Sequence, residues 1–387
     1  MQTIGDREID ESKEPVRSDD NNTFEVVRIG LREAALTKRK KDRISAWNKN
    51  RTGLGESIEN AFFPIDYVNE RARFLKRKRI SLEDYRYLPN ALIQREENID
   101  SFLNVDQSLS GLIRDLSGNN PVLQLYAANC CCNIALGNVK ACTALGKAVI
   151  PYLLTELESL NYALLDVCIW TIGNLIAGSG RAFSILHAQH CLKHLILLLN
   201  NCDNAIYPSV IYAVLHYVYI GFHDISDNEM SELVQATVKR SLLYKDSNFV
   251  WLLALLSSST VFAVHPHFLD SSILSQVVDY LHHSGSDETA DVNEITASIR
   301  ILANALCNSY EDKIDILLRN PKYSQEDLCA LFDKLLSHRY VHIRKEALWL
   351  IGNLYNHRLS RIGQSIKDIV PFSSSLDQAI LSIGNYV

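Results

Sequence analysis

Residues 165–178 read LDVCIWTIGNLIAG, and this stretch decides the fold. Its apolar side chains recur every three or four residues, which is typical of a helix with one face in a core: Leu165, Cys168, Ile169, Ile172, Leu175 and Ile176. Gly178 and Gly180 follow, and glycines are typical of helix ends. Pro151 suits the first turn of an earlier helix. We therefore expect two helices here, joined by a turn at Ser159–Tyr162.

The same pattern recurs along the chain. Copies of a Trp-x-x-x-Asn-like motif follow one another at intervals of about 40 residues, and their first positions are Asn129, Trp170, Tyr212, Trp251, Arg300, Trp349 and Leu381. Two intervals are longer, and one of them contains the acidic stretch Ser284–Glu294. Three-helix repeats of this length stack into solenoids of the armadillo type. The sequence therefore predicts an all-α, armadillo-type, right-handed superhelical solenoid of about seven repeats.

A tryptophan and an asparagine one helical turn apart mark two of these repeats. Residues at this spacing lie on one face of a helix. An asparagine amide both donates to and accepts from an extended peptide backbone, and an indole packs against the stem of a lysine. We therefore predict a peptide-binding groove lined by Trp170, Asn174, Trp349, Asn353, Asn133, Trp251 and Asn304. The alternative is that the tryptophans only pack between repeats.

Charge divides the chain into three parts. Residues 28–79 hold fifteen basic and six acidic side chains, although the whole chain has a net charge of -6. We expect an acidic disordered tail at 1–27, a flexible basic arm at 28–79 and the repeat domain at 80–387. A basic arm on an acidic body suggests either self-association or a strongly acidic partner.

The arm contains two dense basic runs, Lys38–Arg43 and Arg71–Arg79. Both are too charged to pack alone, so we expect them to stay flexible until a partner neutralises them. A solvated linker, a nuclear localisation signal or a nucleic-acid patch would have the same composition. Few aromatic residues lie among the basic ones, so the sequence does not favour a nucleic-acid partner.

Two motifs together resemble the importin-alpha family, which links cargo bearing basic signals to the transport receptor importin-beta. Leu36–Asp42 (LTKRKKD) is similar to the core of the family's importin-beta-binding segment. Ala127–Ala135 (AANCCCNIA) is similar to the family's repeat Ala-Ala-Trp-x-x-x-Asn-Ile-Ala. The resemblance implies that the groove binds basic cargo proteins. It also implies that the arm binds an importin-beta-type receptor through Arg28, Arg32, Lys38, Arg39, Lys40, Lys41, Arg43, Lys49 and Arg51.

The sequence also departs from that family. Only Trp170/Asn174 and Trp349/Asn353 keep both motif residues. Gly178–Gly180 stands where the family has an aspartate that pairs with the key cargo lysine. Two functions therefore stay open. One is a nuclear import adaptor, cytoplasmic and nuclear; the other is an armadillo scaffold that binds another protein partner without recognising nuclear signals. In both cases we expect a monomer that is not an enzyme.

One histidine-rich stretch has the spacing of a metal site. Possible zinc ligands lie at helical spacing at His187, His190, Cys191 and His194. No carboxylate stands beside them to act as a base, and helical histidine clusters are common on surfaces. We therefore predict no metal, no cofactor and no catalytic residue.

Cysteine usage and hydropathy indicate where the chain resides. The nine cysteines are irregularly spaced and mostly lie in apolar runs, which favours reduced thiols. Ala205–His223 and Ser247–Leu269 have no acidic residue, lysine or arginine and are long enough for membrane spans. A buried repeat helix has the same composition, so we expect no span.

Overall fold

The computed structural model describes residues 62–261, 271–284, 290–307 and 311–370, together with 376, 377 and 380. Across these ranges the regular structure is α-helical and contains no strand. The acidic tail, the basic run Lys38–Arg43 and the last motif copy, which begins at Leu381, lie outside the described residues.

The helices of the described part follow one another with short connections. In chain order they are α1 (Ile65–Lys76), α2 (Leu82–Gln94), α3 (Glu96–Asn104), α4 (Ser108–Leu116), α5 (Pro121–Ile134), α6 (Val139–Glu156), α7 (Tyr162–Gly178), α8 (Gly180–Ala188), α9 (Cys191–Asn201), α10 (Tyr207–Gly221), α11 (Asp227–Val238), α12 (Ser247–Leu256), α13 (Ser271–Ser284), α14 (Val292–Leu306), α15 (Glu311–Leu318), α16 (Gln325–Leu336), α17 (Val341–Tyr355) and α18 (Ser360–Ile369).

The helices that carry the motif copies stack directly on one another, and α2 stacks on the first of them. Helices α2, α5, α7, α10, α12, α14 and α17 each pack against the next one in this order, and we call this series the ladder row. The other helices form a second layer, in which α1 packs on α4, α4 on α6, α6 on α8 and α9 on α11. A repeat that contacts its neighbours in this way is the unit of a solenoid. The prediction of an all-α solenoid is confirmed.

Three-helix units occur at Glu96–Ile134, Gly180–Gly221 and Glu311–Tyr355. Between the first two, Val139–Glu156 is one continuous helix that contains Pro151. The prediction that a helix begins at Pro151 is therefore wrong. A proline inside a helix removes one backbone hydrogen bond, but here the apolar side chains on both sides of it are buried.

Helix α7 forms where the sequence predicts it. The side chain of Asn161 accepts a hydrogen bond from the backbone N–H of Leu164 and so caps the first turn. The predicted apolar side chains of α7 are all buried. Helix α7 ends at Gly178, and Ser179 caps the next helix by accepting from the N–H of Ala182. Gly180 is thus the first residue of α8 rather than part of a stop signal.

Helix α1 lies within the range expected to be a flexible arm. Val68, Ala72 and Leu75 are buried. Arg71 of α1 forms an ion pair with Asp84 of α2 at 2.7 Å. The helical part of the run Arg71–Arg79 is therefore packed, which differs from the expectation, because an apolar face and acidic neighbours offset its charge.

Six of the cysteines are buried, and all nine are free thiols. Burial raises the pKa of the Cys131 thiol to about 12, so this thiol stays neutral at physiological pH.

Within the described ranges, no single helix has both the length and the apolar composition needed to cross a membrane. Helices α8 and α9 together reach that length and composition, but the chain bends by 77° between them.

Candidate protein-binding surface of the ladder row

The first candidate site lies where α7 meets α10. The rings of Trp170 and Tyr212 have centroids 4.3 Å apart, and His216 lies edge-on to Tyr212 at 4.5 Å. Trp170 is half-buried, and it stands one turn after Asp166 on the same helix. We call Asp166, Trp170, Tyr212 and His216 the N-terminal patch. It combines an aromatic wall with a carboxylate.

Among the described residues, the carboxylate of Asp166 has a neutral hydrogen-bond partner rather than a positive one. Its carboxylate accepts a hydrogen bond of 2.5 Å from the hydroxyl of Ser209 on α10. Burial raises the pKa of Asp166, and the hydrogen bond from Ser209 opposes part of that rise. No lysine or arginine of the described chain forms an ion pair with it. The patch can therefore accept a cation.

The second candidate site spans α12, α14 and α17. The guanidinium of Arg300 lies 5.4 Å from the centroid of the Trp251 ring. Its Nε and Nη2 atoms donate to one carboxylate oxygen of Glu346 at 2.7 and 2.5 Å. Trp349 follows Glu346 on α17, and 61% of its surface is exposed. We call Trp251, Arg300, Glu346 and Trp349 the C-terminal patch; it contains its own cation.

The four predicted asparagines connect neighbouring ladder helices. Each Nδ2 group donates to the preceding ladder helix or the residue just after it: Asn133 to the carbonyl of Pro89 at 2.6 Å, Asn174 to Sγ of Cys132 at 3.4 Å, Asn304 to Oγ of Ser257 at 3.0 Å and Asn353 to the carbonyl of Ala303 at 2.9 Å. This shared role explains why asparagine recurs at the repeat interval. An amide N–H placed between helices satisfies a group that would otherwise be costly to bury.

Asn133 and Asn174 are also fully buried. Asn174 additionally accepts a hydrogen bond of 2.9 Å from the hydroxyl of Tyr212. The structure therefore corrects one part of the sequence-based expectation: these two amides join helices instead of facing a ligand. Asn304 and Asn353 are half-buried and stay within reach of the surface. The binding role of the tryptophans stays a prediction.

The charged members of both patches were missed from the sequence. Asp166 lies four residues before Trp170 and Glu346 three residues before Trp349, so helical spacing alone could have placed each carboxylate beside its indole. Arg300 occupies the tryptophan position of its own motif copy. That substitution was the signal for an internal cation.

The histidine cluster does not form a metal site in the described residues, which contain no group of three or more possible ligands. Nδ1 of His187 lies 2.7 Å from the hydroxyl of Tyr217, and the imidazole stacks on Phe183. His187 is thus part of the packing between α8 and α10.

Comparison with known proteins supports the fold. No protein-family model matches the chain. A crystal structure of an engineered protein from the Northeast Structural Genomics Consortium matches with a TM-score of 0.61 and 17% identity, over 81% of this chain and 76% of that one. A designed armadillo repeat protein aligns with a TM-score of 0.40 and 16% identity, over 74% of this chain and 99% of that one. Another, in complex with the peptide (KR)4, aligns with a TM-score of 0.39 and 16% identity, over 74% of this chain and 98% of that one. The ladder row and the first of these likenesses agree on an all-α solenoid of stacked helices.

Proposed function

We propose that this protein is a scaffold that binds an extended segment of a partner protein along the ladder row. A basic side chain of that segment is held at the N-terminal patch. The observation that carries the proposal is the carboxylate of Asp166, which lies one turn from Trp170 and whose hydrogen-bond partner among the described residues is the neutral hydroxyl of Ser209.

The chemistry of the N-terminal patch suits an ammonium or guanidinium group. A cation over an indole ring gains about 0.5–2 kcal/mol, depending on how far it is desolvated. A charge-assisted hydrogen bond to a carboxylate is roughly twice as strong as a neutral one. Asp166 and Trp170 together offer both interactions at one place. Residues 80–387 also have more acidic than basic side chains, which attracts a basic segment over a longer range.

Within this proposal the predicted residues have two different roles. Trp170 and Trp349 provide walls for long side chains of the partner, and the half-buried amides of Asn304 and Asn353 contact its backbone. Asn133 and Asn174 keep the ladder helices in register. An extended segment fits such a surface because every second side chain points to the same side.

The test is a binding titration with a labelled eight-residue peptide of alternating lysine and serine. We expect Trp170→Ala and Asp166→Asn each to weaken binding about tenfold, which corresponds to about 1.4 kcal/mol. A peptide of alternating glutamate and serine should not bind. Equal affinity of wild type and both variants would remove the N-terminal patch from the proposal.

Matched controls come from outside the ladder row. Tyr152→Ala removes an aromatic side chain that is 38% exposed on α6, and Glu232→Gln removes an exposed carboxylate on α11. Both variants should bind the lysine peptide like wild type. A loss in either control would mean that binding follows overall charge or apolar surface rather than the patch.

A second candidate is the nuclear import adaptor. It is favoured by the basic residues at 28–51 and by their resemblance to an importin-beta-binding segment, and it implies an importin-beta-type receptor, basic cargo proteins and residence in both cytoplasm and nucleus. A pull-down with importin-beta tests it by comparing wild type with a variant that has Lys38, Arg39, Lys40 and Lys41 all changed to Ala. Capture of wild type and loss of the variant would support the adaptor. Failure to capture wild type leaves the scaffold alone.

A further inference from the structure

The C-terminal patch holds its cation in the arrangement that a bound ligand would need. Arg300 comes from α14, the ring of Trp251 from α12 and the carboxylate of Glu346 from α17. The guanidinium therefore bridges three consecutive ladder helices. It covers the indole and neutralises the carboxylate at the same time.

We infer that Arg300 is an internal substitute for a ligand cation, which closes the C-terminal patch to the basic side chains that the N-terminal patch accepts. The inference rests on the proposed function for the class of ligand. The inference goes beyond the proposed function because it states that one residue, Arg300, determines where along the ladder row a basic segment can bind.

The exposure of the three groups supports this role. The side chain of Arg300 is 43% exposed, whereas that of Glu346 is only 16% exposed. The guanidinium that contacts the carboxylate is thus more exposed to solvent than the carboxylate itself. An arriving lysine would meet a like charge, and it would have to displace two short hydrogen bonds. Like charges brought together at a binding surface disfavour that partner.

Removal of the guanidinium should convert the closed patch into a second cation site. Arg300→Ala leaves Trp251 uncovered and Glu346 without its cation, so the patch then offers an indole and a carboxylate, the two kinds of group found at Trp170 and Asp166, although here they come from two helices. Arg300→Lys keeps a positive charge and should leave the patch closed. Trp251→Ala added to Arg300→Ala removes the wall and should cancel the gain.

Site-resolved cross-linking measures this directly. The probe is the alternating lysine and serine peptide carrying a benzophenone, and mass spectrometry locates the cross-links. The experiment is run at pH 7.5, above the pKa of nearby His342, which desolvation keeps below its usual range. In wild type the cross-links should fall on α7 and α10. In Arg300→Ala they should also appear on α12, α14 or α17, and the affinity should rise about tenfold.

The matched control is Arg240→Ala. Arg240 also has its guanidinium near an aromatic ring, 5.2 Å from the centroid of Tyr207, but it donates to the backbone carbonyls of Cys202 and Asn200 rather than to a carboxylate. Its removal should create no cation site. Thermal unfolding of each variant checks that it is folded, and Arg300→Gln replaces Arg300→Ala if the alanine variant is not.

The outcomes separate the inference from the proposed function. If wild type is cross-linked at α7 and α10 while Arg300→Ala shows nothing new, the inference is overturned and the proposed function stands. If wild type does not bind but Arg300→Ala is cross-linked at the C-terminal patch, the proposed function fails and the inference is supported. No binding by either protein overturns both.

Discussion

The N-terminal and C-terminal patches of the ladder row contain the same kinds of group in different states. Each has a carboxylate and an indole three or four residues apart on one ladder helix. Asp166 has the hydroxyl of Ser209 as its partner, whereas Glu346 has the guanidinium of Arg300. One side chain at the first position of a motif copy thus decides whether a patch offers its charge to a partner or neutralises it internally.

The largest expected difference between the two regions concerns the glycine of a shared tripeptide. Ile-Gly-Asn occurs at Gly173 in α7 and at Gly352 in α17. A Cβ atom on Gly173 would lie 2.6 Å from the ring of Tyr212 and 3.2 Å from the Cα of Ala213. A Cβ on Gly352 would meet no atom of the described residues within 4 Å. The same substitution therefore has opposite expected effects.

We expect Gly173→Ala to lower the free energy of unfolding by about 3 kcal/mol, since overpacking typically costs 1–3 kcal/mol. Gly352→Ala should raise it by about 0.5–1 kcal/mol because alanine favours the helix. Urea unfolding followed by circular dichroism measures both. If both variants shift the urea midpoint of unfolding in the same direction, the expected difference between the two glycines is contradicted.

Substitution of the asparagines in the same tripeptides should give a smaller difference in stability than substitution of the glycines. Asn174 is buried and joins Cys132 and Tyr212, whereas Asn353 is half-buried and donates to the carbonyl of Ala303. Asn174→Ala leaves the hydroxyl of Tyr212 without its acceptor, so we expect a loss of about 2 kcal/mol in stability. Asn353→Ala should cost about 1 kcal/mol. Equal losses in urea unfolding would show that burial does not distinguish the two positions.

These pairs show how far the sequence could predict the structure. The three- and four-residue spacing of apolar side chains in α7 and the repeat interval of the motif predict the helices and their order, because both follow from the geometry of one helix and one stacked unit. The environments of Gly173 and Gly352 could not be predicted. They depend on the next ladder helix, which places Tyr212 against the first glycine.

The candidate site was predictable to a smaller extent for the same reason. Trp170 and Trp349 were found because a single helix carries the motif. The pairing of Arg300 with Glu346 joins two repeats, and the burial of Asn133 depends on where α2 lies. Contacts of this kind depend on the angle and distance between helices. A motif within one helix gives no information about either quantity.

The pH dependence of peptide affinity should distinguish the N-terminal patch from the C-terminal patch. Burial raises the pKa of Asp166 above its usual value of 3.8. As the pH falls through this raised pKa, the carboxylate is protonated and its attraction for a lysine is lost. The affinity for the lysine peptide should therefore begin to fall at a higher pH than an ordinary aspartate, with a pKa of about 3.9, would produce. Asp166→Asn should lack this part of the pH profile, and Glu346→Gln should retain it.

Stability of the free protein should change in the opposite direction over the same pH range. A carboxyl group whose pKa is higher in the folded state binds more protons there than in the unfolded chain, so its contribution to stability is lost as the pH rises through the raised pKa. Asp166→Asn should abolish this loss, and urea unfolding between pH 4 and 7 measures it against wild type. A carboxylate paired in the free protein would instead lose stability as the pH falls. If affinity rises with pH while stability falls, the carboxylate of Asp166 forms its ion pair with the bound peptide and not within the free protein. If both change in the same direction with pH, this interpretation is contradicted.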